Sequence, residues 1–198
     1  MSRGSTLKRR KRTSSGINAR LGQYLTVDRV VIGGSILASV LIVAVIALNS
    51  ALNRPPELST EIPDNSIAFP SQGTEHLEPG QQPPLYNSNP PTSGPHTQSI
   101  RTGVYTEIVP DVSLIHNLEH GHVWLSYRDA GDQEAINVLT QVQQRFPGRV
   151  VVTNRPQNDG RVAAAAWSRL LTVDELNADE LFNFVLRHGN RAPENVPG

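Results

Sequence analysis

The run DVSLIHNLEHGHVWLSY, residues 111–127, joins a short amphipathic helix to a strand through one glycine, and it carries three of the chain's six histidines. Steps of 100° per residue place His116, Glu119 and His120 on one helical face and Leu114 and Leu118 on the opposite one. Asp111 or Ser113 is the expected cap and Gly121 the left-handed stop. From His122 to Tyr127, Val123, Leu125 and Tyr127 alternate with His122, Trp124 and Ser126, which is the period of a strand. A helix end and a strand start thus bring His116, His120 and His122 toward one point.

Working outward, Gly103 to Val109 holds Val104, Tyr105, Ile108 and Val109 and stops at Pro110, so it reads as a strand. Ala135, Val138, Leu139, Val142 and Phe146 form a helical stripe that starts at the cap residue Asp132 and ends at Pro147-Gly148. Val150 to Thr153 and Val162 to Trp167 read as two more strands separated by the turn-rich residues 155–160, although the four alanines Ala163 to Ala166 also suit a helix. Asn177 followed by Glu180 opens a last helix carrying Leu181, Phe182, Phe184, Val185 and Leu186, which ends at Gly189. The expectation is an α+β (α/β-like) domain over 85–194, with a small mixed β-sheet, two main helices and the short histidine-bearing helix. Its second half has the β-α-β-β-α order found in thioredoxin-like folds. That likeness is one of fold alone, because a chain without cysteine has no thiol redox chemistry.

The N-terminal end is of another kind. Residues 1–29 hold Arg3, Lys8, Arg9, Arg10, Lys11, Arg12, Arg20 and Arg29 against the single acid Asp28, and no charge follows from Val30 to Leu48. At 1.5 Å per residue that uncharged run is about 28 Å long, close to the roughly 30 Å of bilayer hydrocarbon. We expect a single-pass transmembrane helix over 30–48 in the cell membrane, uncleaved as a signal-anchor. The basic tail 1–29 is then cytoplasmic and near anionic lipid headgroups, and everything after the span is extracytoplasmic. Beside a span, the basic run is topogenic charge, and no nucleic acid is implied. Residues 49–84 are rich in Pro, Gln, Ser and Asn and read as an extended stalk, and 195–198 as a tail.

The chemistry of the histidine cluster is that of a transition-metal site. Neutral imidazole is a common ligand for borderline metals, and an adjacent carboxylate serves as ligand, orienting partner or base. With no cysteine, and Met1 the sole methionine, sulfur ligands are excluded from the outer domain, which leaves Zn²⁺ or Cu²⁺ on nitrogen and oxygen. Candidate ligands are His116, His120, His122 and His96, the last offered by the turn Pro91-Thr92-Ser93-Gly94-Pro95. His76 reads as a solvated stalk residue and His188 as a helix cap. His116-Asn117-Leu118-Glu119-His120 also fits the H-x-x-E-H pattern of inverted zinc peptidases, with Glu119 as general base and Glu175, Glu180 or Glu194 as a further acidic ligand. A metal-dependent hydrolase and an envelope interaction module with a structural or proton-sensing histidine network are therefore alternatives to a metal-binding domain.

The Tyr86 to His96 stretch with its Pro-Pro-Thr-Ser-Gly-Pro-His turn, the Gly103-Val104-Tyr105 strand, His116 to Gly121, and the closing Ala192-Pro193-Glu194 together resemble an uncharacterised bacterial family, domain of unknown function 3105. The likeness covers Gln82 to Glu194. It implies an N-terminal anchor and no particular activity, and its two polar motifs match His96, His116, Glu119 and His120.

Overall fold

The computed structural model describes residues 27–52 and 57–194. Nearly all of the basic tail 1–29 and the tail 195–198 lie outside them. The first described unit is helix α1, Val27–Leu52. Within it Val31–Ala51, 21 residues, is long and apolar enough to cross a membrane, and its side chains are exposed. The helix runs a few residues beyond the expected end because Asn49, Ser50 and Ala51 are compatible with its last turn.

The second unit is described from residue 57 onward. Among its described residues the strands β1 (Ile67–Ala68), β2 (Gly103–Ile108), β3 (Val123–Tyr127), β4 (Val150–Asn154), β5 (Val162–Ala166) and β6 (Arg169–Val173) form one sheet in the order β1-β6-β5-β3-β4-β2. The pairs β2/β4 and β3/β4 are parallel, and the other neighbours are antiparallel. Helix α2 (Asp111–Glu119) lies between β2 and β3 in sequence, α3 (Gln133–Arg145) between β3 and β4, and α4 (Ala178–His188) after β6. This is the mixed α+β architecture expected, enlarged by two strands.

Central strands buried on both faces sort their residues between two cores. Val123, Leu125 and Tyr127 of β3 pack with Val150, Val152, Ala164 and the apolar sides of α3 and α4, including Leu139, Val142, Leu181 and Phe184. Trp124 of β3 points the other way, with Val151, Ala163, Ala165, Leu170 and the α2 residues Leu114 and Leu118. The alternation read from sequence is therefore a division between cores, each large aliphatic side chain contributing about 1.5–3 kcal/mol on burial. The alanine run is strand because it pairs on both edges and puts small side chains opposite Trp124 and Leu125.

Capping follows the expected chemistry at α3, where the Asp132 carboxylate accepts from Ala135 N–H, and at α4, where Asn177 accepts from Asp179 and Glu180. It differs at α2. Pro110 occupies the cap position and has no side-chain hydrogen-bonding group; the Asp111 carboxylate is turned to Arg155, which grips it from Nε and Nη2 at 3.0 and 2.8 Å, and Ser113 Oγ meets Thr97 Oγ1 at 3.2 Å. Strand β6 was not expected from the sequence. It closes a hairpin on β5 through Trp167-Ser168, with Ser168 at φ 59, a turn lacking the Gly or Asn that would announce it.

The expected stalk is, from residue 57, laid against the domain. Asn183 of α4 exchanges hydrogen bonds with the Ser59 backbone at both N–H and C=O, β1 pairs with β6, and Phe69 N–H donates to Ser168 C=O. A segment too polar for a core of its own is thus seated through its backbone, which composition does not disclose.

Candidate metal centre

Helix α2 presents the centre, and its seat is rigid. Leu114 and Leu118 lie in the second core, and Arg155 holds its start through Asp111. The Asn117 side chain donates to Ile100 C=O and accepts from Ile100 N–H. On the outer side, His116 Nδ1–H donates to Thr97 C=O at 2.8 Å. One turn later Glu119 is 1% exposed.

His96 comes from the Ser93-Gly94-Pro95 turn. Gly94 adopts φ 118, and a Cβ there would stand 3.0 Å from the Tyr86 ring, whose hydroxyl donates to Pro95 C=O at 2.6 Å. The tight turn lets His96 Nδ1–H donate back to Gly94 C=O at 2.8 Å, leaving the fully buried Nε2 to face Glu119 Oε2 at 3.0 Å. These two atoms are close but not aligned as a hydrogen bond, and neither has another partner.

The carbonyl acceptors fix the tautomers. With Nδ1–H given to a carbonyl, neutral His96 and His116 each carry the Nε2 lone pair inward. Facing acceptors at 3.0 Å in a buried place require a proton or a cation between them. Burial, set against the Thr97 bond and reinforced by the neighbouring histidines, holds the His116 pKa below its ordinary 6.5 and so keeps that ring neutral and ligand-competent.

A residue the sequence reading set aside completes the group. The backbone on either side of His76 pairs with His96: His96 N–H donates to Glu75 C=O and Leu77 N–H donates to His96 C=O. That puts the His76 ring 4.7 Å from the His96 ring and 4.9 Å from the His116 ring, centroid to centroid. One ligand atom from each of His76, His96, His116 and Glu119 lies within 4.8 Å of the others. Around a tetrahedral ion such atoms stand roughly 3.3–3.6 Å apart, given bonds of about 2.0–2.2 Å. His76 is exposed, not solvated in isolation, and no local periodicity points to it.

The other expected ligands are placed differently. His120 Nε2 lies 2.7 Å from His116 Nε2 and donates to its lone pair, while His120 Nδ1 is buried without a partner, 3.8 Å from Glu194 Oε2. His122 stands outside the group: its Nδ1 accepts from Asn117 Nδ2, and burial, aided by His120 and Arg149, lowers its pKa. Glu175 and Glu180 line a separate cavity with Asn65 and Asp174. His188 is no helix cap; its Nε2 meets Asp64 Oδ2 at 2.9 Å and Ser66 Oγ at 3.2 Å. With acid and hydroxyl on the same nitrogen, that set has no relay geometry.

No curated protein and no solved structure matches the chain. The sequence profile of a family described as a protein of unknown function, DUF3105, matches residues 79–197, a span that takes in His96, His116, Glu119 and His120. That is more than half of the chain, which therefore belongs to the DUF3105 family.

Proposed function

We propose that this protein is a membrane-anchored, extracytoplasmic domain that binds a transition-metal ion through His96, His116 and Glu119, with His76 as fourth ligand. The observation that carries this reading is the convergence of the His96, His116 and Glu119 lone pairs, with no donor set between His96 Nε2 and Glu119 Oε2. A bound cation supplies the missing positive charge, and a sulfur-free set of imidazole and carboxylate donors is compatible with Zn²⁺ or Cu²⁺. His120 then yields its bond to His116 Nε2 when the ion arrives, and Glu119 acts as ligand, since its oxygen points at the ligand group from a buried position. His122 has no part in the set. The excess of Lys and Arg in residues 1–29 argues for a cytoplasmic N-terminus and an outer domain anchored in the cell membrane.

The test is metal content. The tag-free full chain in detergent, exposed to Zn²⁺ or Cu²⁺ and dialysed, is expected to retain close to one ion per chain. His96→Ala/His116→Ala should retain essentially none. Equal metal in both proteins would refute the assignment.

A further inference from the structure

Resting on that metal-binding reading, we infer that His76 is an exchangeable ligand, whose departure opens a three-ligand centre of His96, His116 and Glu119 to a small Lewis base from solvent. The four groups are unequal. His96 is fully buried and Glu119 nearly so, whereas His76 is exposed. His96 and His116 are each locked by an Nδ1–H bond to a carbonyl, the kind of outer partner that orients a ligating imidazole. Among the described residues no hydrogen bond fixes the ring of His76, which lies edge-on to the His96 and His116 rings.

The backbone around His76 does not need to move for this exchange. Glu75 and Leu77 are both paired to His96, so the strap stays in place while the imidazole swings out by its own side-chain torsions. The vacated position faces solvent, because His76 is exposed while His96 and Glu119 are buried and His116 is half-buried. The remaining three ligands lie inside the region matched by the family, 79–197, and His76 lies before it. A centre with four protein ligands is closed, and one with three holds a position for water or another donor. The two states of His76 interconvert these.

The experiment uses Co²⁺ as a spectroscopic stand-in on the tag-free full chain, with imidazole as the added base. His76→Gly is expected to keep the fold, bind Co²⁺ at least about tenfold more weakly, and change its visible spectrum on saturation with imidazole toward that of the parent. The parent should show the exchange only at higher imidazole, because its tethered His76 competes at an effective concentration in the millimolar range. Identical Co²⁺ affinity and spectra for parent and His76→Gly would overturn the inference, since His76 would then not be a ligand. A parent spectrum unmoved by imidazole at concentrations far above those saturating the variant would overturn exchangeability. Absence of a Co²⁺ band in the parent, with His96→Ala/His116→Ala indistinguishable from it, would instead remove the metal reading itself and this inference with it.

Discussion

The two faces of the sheet solve opposite problems. The face under α3 and α4 is an aliphatic core in which Leu139, Val142, Leu181 and Val185 meet Val123, Leu125 and Val152 with no charge among them. The face under α2 has a smaller apolar core, and beside it the fold buries Thr92, Ser93, His96, Asn117, Glu119 and Arg155. Most of those polar groups are paired, as Arg155 is with Asp111 and Asn158. Among the described residues the exceptions are His96 Nε2 and Glu119 Oε2, with His120 Nδ1 beside them. A second histidine–carboxylate contact, His188 with Asp64, sharpens the contrast, because Ser66 donates to that carboxylate and Arg187 stands nearby. The lesson is that histidine beside carboxylate is ordinary where donors suffice, and calls for a proton or a cation where acceptors face each other.

If the faces divide in this way, damage to one should leave the other's property intact. Leu139→Ala on the apolar face should cost about 2–5 kcal/mol of stability in urea unfolding, with metal per folded chain unchanged. Glu119→Gln should act with opposite signs. Without metal, an amide that donates to His96 Nε2 replaces a buried carboxylate and should raise stability by about 1 kcal/mol. Metal affinity should fall at least about tenfold, since a first ligand is lost. Stabilisation together with unchanged metal affinity would show that Glu119 is not a ligand.

Asn117→Ala removes the clasp between α2 and Ile100 and the donor to His122, and should lower stability by about 1–3 kcal/mol, read by thermal unfolding, with a smaller loss of metal affinity. The smallest effect belongs to the apolar face's own cap. Asp132 is held at about 2, from 3.8, chiefly by hydrogen bonds from Arg161 and the Ala135 N–H. Its contribution is complete above pH 3.8 and is lost as the pH falls from 3.8 to about 2. Asp132→Ala should therefore cost roughly 1 kcal/mol at neutral pH, and the gap between variant and parent should close across that acid window.

The apolar face was legible because its signals are local. The α3 stripe, the caps Asp132 and Asn177 and the strand at Val150 are each written within a few residues. At the candidate metal centre, His116, Glu119 and His120 share a face by helical spacing, and His96 is announced by its Pro-Thr-Ser-Gly-Pro turn. What remained hidden depends on pairing between distant segments. His76 reaches the cluster through a backbone bridge to His96, and β1 exists only because β6 is beside it. Spacing alone makes His122 a candidate ligand, but as the residue just before the strand it faces Asn117. Asp111 likewise has the chemistry of a cap, but a buried arginine holds its carboxylate.

The most direct test of the central claim is X-ray absorption at the zinc edge of the Zn²⁺-loaded full chain. The account predicts a sulfur-free first shell at about 2.0–2.1 Å with imidazole scattering from more than one histidine, reduced in His96→Ala. A shell of oxygen alone, or a spectrum indifferent to His96→Ala, would contradict it.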